Sequence, residues 1–222
     1  MAKRITIFAG HYGSGKTNLA VNYAIWLRKT GKEVIICDVD IVNPYFRTKD
    51  SEEVLNRHGI RLIASPFANS NLDIPSVPPE TSMAFDNSGV YSVFDVGGDD
   101  SGAVALGQFA DRMKAEEHEM LLVINRHRLL TARPEEVAGY MREMEAASHM
   151  RFTGIANNSN LGRETTCEGF LQSIPYAQRV SELTGLPVLM HCLRADLAEK
   201  LTEPVPNLLP VEIYGKTEWK IY

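Results

Sequence analysis

The residues whose types and spacing are most specific for chemistry lie in GHYGSGKT, residues 10 to 17. The stretch fits G-x-x-x-x-G-K-[ST], a loop whose glycines let main-chain N–H groups point inward at a phosphate. In this pattern the Lys16 side chain reaches the β- and γ-phosphates, and the Thr17 hydroxyl can hold Mg²⁺. A glycine-rich turn that binds nothing would not require Lys followed by Thr. The pattern therefore predicts a phosphate site.

A short apolar run, ITIFA, precedes this loop, and a helical pattern, NLAVNYAIWLRKTG, follows it. A strand before and a helix after are the context that the loop needs, because the helix N-terminus adds a favourable potential for anions. We expect the loop and the residue after it to contact the nucleotide. These residues are Gly10, His11, Tyr12, Gly13, Ser14, Gly15, Lys16, Thr17 and Asn18.

Acids end two of the apolar runs. VIICDVD ends in Asp38 and Asp40, and VYSVFDVGG carries Asp95 with Gly98 three residues later. A phosphate loop needs a carboxylate at the end of a neighbouring strand to organise the water shell of the metal. Asp95 is placed for that role, and the Gly98 N–H for approach to a γ-phosphate. Each acid alone also fits an ordinary turn after a strand.

The elements that position these residues follow from alternating patterns. Short β-branched runs alternate with longer helical stretches, and the runs are apolar on both faces, which is typical of a parallel sheet covered by helices. We predict a doubly wound, mainly parallel α/β sheet with helices on both faces. The predicted strands are RITIFA, EVIICD, GIRLIA, VYSVFDV, EMLLVINR, RFTGIANN and LPVLM. The predicted helices cover residues 16–30, 49–57, 102–115, 134–147 and 168–184.

Two segments interrupt the alternation. Residues 64–89 are rich in Pro, Ser and Asn and lack periodicity, and loops of this length are uncommon unless they are functional or disordered. We interpret residues 64–89 as a partner-facing loop, with capping of the nucleotide and binding of a substrate as alternatives. The side chains that would bind a substrate are Asn69, Ser70, Asn71 and Asp73, for which local turn formation is the simplest account. The tail, residues 203–222, contains Pro204, Pro206 and Pro210, which exclude a long terminal helix, so we expect it to be irregular.

Composition limits the function classes. The chain has 222 residues, 44% of them hydrophobic, which suits a single domain spanning residues 1–222. A net charge of −5 gives no general reason to expect DNA binding. Cys37, Cys167 and Cys192 form no CxxC pair, which favours a reducing cytoplasm over a disulfide framework. Apolar runs are too short for a membrane span, so we expect a soluble cytoplasmic protein.

Together these motifs resemble the MinD/ParA branch of the SIMIBI class of P-loop NTPases, within the CobQ/CobB/MinD/ParA nucleotide-binding group. The resemblance rests on the loop at 10–17, on DVDIVNPYF, on FDVGG and on IANNSN. It implies that Asp40 orients the attacking water, that Asp38 supports the metal or the loop, and that Asp95 binds the Mg²⁺ water shell. It also implies that Asn157 recognises adenine, with Asn158 as a competing reader of the base.

One departure from that family pattern concerns His11. Many MinD and ParA proteins carry a lysine there that crosses a dimer interface to the phosphates of the neighbouring subunit. A neutral imidazole cannot supply a permanent charge, so the ATP-sandwich dimer is in doubt and intrinsic hydrolysis is expected to be slow. Another residue, such as Arg47, or a partner would then supply the charge; a solvated loop cation is the alternative for Arg47.

The resulting hypothesis is a Mg²⁺-dependent ATP-binding protein and ATPase of the MinD/ParA-like type that acts as a nucleotide switch. Lys16 and Asp40 are its predicted catalytic residues; ATP, ADP and Mg²⁺ are the predicted cofactors, with Thr17, Asp38 and Asp95 at the metal. A homodimer or another protein partner is expected. Two alternatives stay open: a SIMIBI-type phosphotransferase or ATP-dependent ligase acting on a small molecule, and a non-catalytic, nucleotide-gated protein that delivers a cofactor.

Overall fold

The apolar runs form the strands of one parallel sheet in a computed structural model that describes residues 2–40, 48–64 and 77–214. In these residues the strand order is β3-β2-β4-β1-β5-β6-β7-β8. Every neighbouring pair is parallel, so the predicted doubly wound α/β sheet is confirmed. The strands are β1 (Ile5–Ala9), β2 (Glu33–Val39), β3 (Arg61–Ile63), β4 (Val90–Val96), β5 (His118–Ile124), β6 (Gly154–Asn157), β7 (Val188–Arg194) and β8 (Leu208–Val211).

Helices connect these strands, as the alternating pattern predicts. They are α1 (Lys16–Lys29), α2 (Glu52–Arg57), α3 (Met83–Asp86), α4 (Asp100–Gly107), α5 (Ala110–Lys114), α6 (Pro134–Ser148), α7 (Cys167–Leu171), α8 (Ser173–Thr184) and α9 (Ala195–Ala198). Two of the predicted helices are each divided. The stretch 102–115 is split between α4 and α5, and the stretch 168–184 between α7 and α8.

The core has two layers because successive strand side chains point to opposite faces of the sheet. On β1, Ile5 and Ile7 pack in one apolar cluster with residues of α4, α6 and α8. Phe8 packs in the other cluster with the buried side of α1. Helices therefore cover both faces, as the predicted architecture requires.

The carboxyl ends of all strands meet at one edge of the sheet. β1 lies between β4 and β5, and this is where the order of strands along the chain changes direction. Open α/β sheets bind ligands at such a switch point, outside the carboxyl ends of the strands. The loop at 10–17 follows β1 directly, so the sequence motif lies at the switch point.

The tail departs from the sequence-based expectation. The prediction of an irregular tail over 203–222 is wrong for residues 208–211, which form the edge strand β8 beside β7. Pro210 is compatible with this strand because an edge strand needs only one row of ladder hydrogen bonds. Asn18 and Asn22 of α1 donate side-chain hydrogen bonds of 2.8 and 2.9 Å to the carbonyl of Glu212, which fixes the chain after β8.

The long segment 64–89 is only partly within the described residues. Residues 65–76 lie outside them, including Asn69, Ser70, Asn71 and Asp73. The remainder holds a 3₁₀ turn at Pro79–Ser82 and then α3. None of the helices in residues 2–40, 48–64 and 77–214 has the length and apolar character needed to cross a bilayer.

Candidate nucleotide site

The predicted phosphate loop forms the turn between β1 and α1. Gly13 and Gly15 have φ angles of 78° and 85°, a left-handed conformation that glycine adopts without steric cost. No side chain caps the N-terminus of α1, and its first turn contains no acidic residue. The first N–H groups of this 14-residue helix thus keep the positive potential that attracts an anion.

Two other glycines allow main chain to pack against main chain at the loop. A Cβ on Gly10 would lie 2.3 Å from the carbonyl oxygen of Val123 in β5. A Cβ on Gly98 would lie 2.6 Å from the main-chain nitrogen of Tyr12. Because both contacts are with backbone atoms, neither position tolerates a side chain without displacement. Gly98 therefore lies directly against the loop, and the approach of its N–H to a γ-phosphate stays a prediction.

Lys16 is buried among carboxylates. Burial lowers the pKa of the Lys16 ammonium, and the charges of Asp95, Asp40 and Asp99 oppose that effect. The Lys16 Nζ donates to the carbonyl of His11 at 3.5 Å, a long hydrogen bond that leaves most of its donor capacity for another acceptor. An anion at the start of α1 would stabilise this desolvated ammonium further.

Asp95 lies at the end of β4, in register with Asp38 of β2. Its Oδ2 accepts a hydrogen bond of 2.9 Å from the hydroxyl of Thr48. Its Oδ1 is buried and has no hydrogen-bond partner within residues 2–40, 48–64 and 77–214. Burial raises the pKa of Asp95 to about 6, and Lys16, Thr17 and Thr48 act against that rise. Besides the nearby Lys16 ammonium, this carboxylate therefore has one oxygen open to a further donor, such as a water bound to a metal ion.

Asp38 and Asp40 occupy the end of β2. The main-chain N–H of Asp40 donates to Asp38 Oδ1 at 3.1 Å, which closes a tight turn after the strand. A Cβ on Gly97 would lie 3.1 Å from Asp40 Oδ1, so the Asp40 carboxylate borders the segment after β4. The structure thus brings both acids to the edge that holds Lys16 and Asp95. Residues 41–47, which contain the rest of the DVDIVNPYF motif and Arg47, lie outside the described residues.

Two side chains from the other half of the sheet hold the loop. The amide of Asn158, after β6, donates to the carbonyl of Ser14 at 2.8 Å. The guanidinium Nε of Arg128, after β5, donates to the carbonyl of Gly13 at 2.8 Å. Two consecutive loop carbonyls are therefore engaged by donors outside the loop. No motif in the sequence indicates Arg128, and Asn158 was expected only as a reader of the base.

The side chain of His11 packs against α6. Its ring lies 5.3 Å, centroid to centroid, from the ring of Tyr140. The Tyr140 hydroxyl donates a long hydrogen bond of 3.5 Å to the carbonyl of Gly98. The position that carries a lysine in many MinD and ParA proteins is therefore occupied here by an aromatic contact between the loop and α6.

Two residues predicted to contact the nucleotide use their amides within the protein. The Asn157 amide is buried and donates to the Ser173 hydroxyl at 2.9 Å, with the His191 Nδ1 3.1 Å away. The Asn18 side-chain amide binds the chain after β8: its Nδ2 donates to the carbonyl of Glu212, and its Oδ1 accepts from the N–H of Tyr214. Adenine recognition by Asn157 and nucleotide contact by Asn18 stay predictions.

The residues present fit a phosphate with Mg²⁺. The hydroxyl of Ser14 is buried in the loop and, like Asp95 Oδ1, has no hydrogen-bond partner in the described part of the chain. Buried polar atoms are rarely left unpaired, and an open donor in the loop together with an open acceptor at the end of β4 matches a phosphate bound with a cation. Thr17, Asp95 and Asp38 are the residues that would hold the metal.

Solved structures of other proteins share the fold of this chain. No family model and no curated protein matches this chain. FtsY from Mycoplasma mycoides matches with a TM-score of 0.58 and 20% identity, over 86% of this chain and 59% of that protein. The cell division protein FtsY from Thermotoga maritima matches with a TM-score of 0.55 and 17% identity, over 85% of this chain and 61% of that one. Signal recognition particle 54 kDa protein from Aeropyrum pernix, solved in complex with GDP, matches with a TM-score of 0.56 and 14% identity, over 84% of this chain and 40% of that one.

These structural similarities show a shared fold, and at such low sequence identity they show the fold alone. The chain spans less than two thirds of the length of each of these proteins. FtsY and the 54 kDa protein belong to the SIMIBI class of P-loop NTPases, the class that the motifs predict. The narrower assignment to the MinD/ParA branch is not confirmed by these similarities and stays a prediction.

Proposed function

We propose that this protein binds a nucleoside triphosphate with Mg²⁺ and hydrolyses it, acting as a nucleotide switch. One observation supports this most strongly: the buried ammonium of Lys16 and the buried carboxylate of Asp95 share the uncapped start of α1. A lysine, a carboxylate and unsatisfied main-chain donors are what a triphosphate and its cation require. A purely structural ion pair would not need the glycine-rich turn around it.

The reaction is the cleavage of a phosphoanhydride by water. The water oxygen attacks the γ-phosphorus while the bond to the β,γ-bridging oxygen breaks, which yields a nucleoside diphosphate and inorganic phosphate. In this proposal Lys16 attracts the γ-phosphoryl oxygens and Gly98 donates its N–H to them. Asp40, which borders Gly97, orients the water. Bound Mg²⁺ would neutralise charge that develops on the phosphates.

The proposed nucleotide is ATP, because of the residues at the end of β6 and directly after it. Residues 157–160 are Asn, Asn, Ser and Asn, so the segment contains no carboxylate. An amide offers one donor and one acceptor, which matches the edge of adenine, whereas guanine presents two neighbouring donors that suit a carboxylate. Guanosine nucleotides are the competing candidate, because the 54 kDa protein of the same fold was solved with GDP. In this proposal residues 157–160 contact the base. Asn160 is the least buried of the three asparagines, and its amide donates to the Asn158 carbonyl at 2.8 Å and accepts from the Gly162 N–H at 3.1 Å.

Turnover is proposed to be slow without a partner. His11 lies against Tyr140 and carries no permanent charge toward the phosphates. Arg128 is a fixed cation beside the loop, but its Nε is engaged by the carbonyl of Gly13. A second subunit or another protein would supply the missing charge, in the way that an arginine supplied in trans accelerates other NTPases.

Single-turnover hydrolysis tests the proposal. Protein in excess over radiolabelled ATP or GTP is assayed with Mg²⁺, using wild type, Lys16→Ala and Asp40→Asn. We expect phosphate release from ATP by wild type, faster than from GTP, and at least about a hundredfold less by either variant. Equal release by all three proteins would contradict the proposed roles of Lys16 and Asp40. Faster release from GTP would overturn the assignment of ATP and leave the hydrolase proposal standing.

A further inference from the structure

Thr48 contacts the metal end of the site from a part of the chain that no motif identifies. It begins the 3₁₀ turn Thr48–Ser51 and is fully buried, with an exposed fraction of 0%. Its hydroxyl donates to Asp95 Oδ2 at 2.9 Å, across 47 residues of sequence. Threonine hydroxyls near a helical turn usually bond to their own main chain. This hydroxyl instead bonds to the carboxylate at the centre of the proposed site.

The carboxylate of an aspartate rotates over a broad range about the Cβ–Cγ bond, so its orientation depends on its hydrogen bonds. Asp95 has one oxygen bound to Thr48, while the other, Oδ1, is buried without a hydrogen-bond partner among the described residues. In a buried setting a hydrogen bond is stronger than in water and restricts rotation more. The bond to Thr48 therefore helps to determine which oxygen stays open, together with the nearby hydroxyl of Thr17, which also lowers the pKa of Asp95.

We propose that Thr48 is a positioning residue that holds Asp95 with Oδ1 open for the water shell of Mg²⁺. The inference rests on the proposed function. Partners of metal-binding carboxylates commonly tune metal affinity in this way, and their loss lowers it about 10- to 100-fold. Thr48 does not touch the nucleotide in this proposal and acts through Asp95.

Thr48 lies eight residues after Asp40, the proposed water-orienting residue. Both residues meet the site, Asp40 at Gly97 and Thr48 at Asp95.

The test compares Thr48→Val, which keeps the shape but removes the donor, with Thr48→Ser, which keeps the donor. Ser51→Ala is a matched control, because Ser51 is a buried hydroxyl residue in the same 3₁₀ turn. Isothermal titration with a non-hydrolysable ATP analogue is run over a series of Mg²⁺ concentrations and in EDTA. Thermal unfolding without nucleotide checks that each variant is folded.

We expect Thr48→Val to need about tenfold more Mg²⁺ for the half-maximal gain in nucleotide affinity. Thr48→Ser and Ser51→Ala are expected to match wild type, and all four proteins to bind the analogue equally in EDTA. A merely structural role would lower affinity in EDTA as well. If Thr48→Val does not fold, Thr48→Ala replaces it, with the same expectation against Thr48→Ser.

The outcomes separate this inference from the proposed function. Wild type that gains affinity with Mg²⁺, together with an unchanged Mg²⁺ requirement in Thr48→Val, overturns the role of Thr48 alone. If Thr48→Val loses nucleotide affinity equally in EDTA and in Mg²⁺, the proposed role of Thr48 is also overturned, in favour of a structural role. Wild type that binds no analogue under any condition overturns the proposed function and this inference with it.

Discussion

The side-chain amide of Asn158 donates a hydrogen bond of 2.8 Å to the main-chain carbonyl of Ser14, which joins the end of β6 to the phosphate loop. Both residues are buried. A Cβ on Gly15 would lie only 2.5 Å from the same amide nitrogen, so the loop and this side chain are in close contact. The bond turns one carbonyl of the loop away from the place where main-chain N–H groups meet a phosphate.

Asn158→Ala is therefore expected to weaken nucleotide binding about tenfold, because losing a buried hydrogen bond leaves the Ser14 carbonyl unpaired at a cost of about 1–3 kcal/mol. Asn158→Asp, of nearly the same shape, is expected to bind more weakly still, since an acceptor then faces a carbonyl and a carboxylate lies nearer the phosphates. Calorimetric titration with an ATP analogue measures both. Wild-type affinity in Asn158→Asp would show that this contact does not support the loop.

Gly98 offers a steric test of the contact between the β4 end and the loop. Gly98→Ala places a methyl group 2.6 Å from the Tyr12 nitrogen and 3.0 Å from the Gly10 carbonyl oxygen. Both neighbours are backbone atoms, so the loop must move, and we expect lower stability and loss of nucleotide binding.

Gly139→Ala in α6 is the matched control, because its new methyl group would meet nothing within 4 Å. Removing a glycine from a helix is expected to stabilise it by up to about 1 kcal/mol. Urea unfolding and analogue titration compare the two variants. An unfolding free energy in Gly98→Ala equal to that in wild type would mean that the loop adapts to the methyl group.

His11→Lys tests the explanation for slow turnover. A lysine at this position would place a permanent charge beside the phosphates, and a cation near the transferred phosphoryl group accelerates cleavage strongly. We expect faster single-turnover hydrolysis in His11→Lys than in wild type or in His11→Gln, which removes the ring without adding charge. If the lysine variant is no faster than the glutamine variant, the missing charge does not limit the rate.

His191 predicts a pH dependence of stability. Burial lowers its pKa below the ordinary value of 6.5, so the folded protein binds this proton less tightly than the unfolded chain does. The neutral His191 side chain therefore makes its full contribution to the free energy of unfolding above pH 6.5, and this contribution falls as the pH drops below that value. The Asn157 amide nitrogen lies 3.1 Å from His191 Nδ1, so a proton on Nδ1 would point at another hydrogen-bond donor. The ring of Phe170, which also contacts His191, provides no acceptor for that proton.

His191→Gln keeps an acceptor for Asn157 and removes the titration. Urea unfolding at about pH 7.5 and about pH 5.5 compares the proteins. Wild type is expected to lose more unfolding free energy between the two values than His191→Gln does. Equal losses would show that the imidazole is not protonated on unfolding in this range.

The fold was largely predictable because its signals are local. Parallel strands that are apolar on both faces, with helical patterns between them, identify a covered parallel sheet. Strand β8 was missed for two reasons. It has only four residues and includes Pro210, and the side chains that hold the following chain belong to Asn18 and Asn22, about 190 residues away in sequence.

The residues of the candidate site also fall into two groups, those that the sequence indicated and those that it did not. That these residues share one edge of the sheet was predictable, because each lies at or after the carboxyl end of a parallel strand; they are Lys16, Asp38, Asp40, Asp95 and Gly98. Their convergence follows from the strand order and the register of β2 with β4.

The residues that support this set gave no comparable signal. Thr48 and Arg128 act through single hydrogen bonds to Asp95 and Gly13, which are 47 and 115 residues away in sequence. Such contacts depend on tertiary structure and leave no periodic pattern. Asn158 was noticed only through the resemblance, and its contact with Ser14 could not be inferred from sequence order.

Calorimetric titration of the whole chain with non-hydrolysable ATP and GTP analogues, with and without Mg²⁺, tests the central claim most directly. We predict one bound ATP analogue per chain, tighter with Mg²⁺ than in EDTA, and at least about tenfold weaker binding by Lys16→Ala. Folded wild-type protein that binds neither analogue with Mg²⁺, or Lys16→Ala that binds as tightly as wild type, would contradict it.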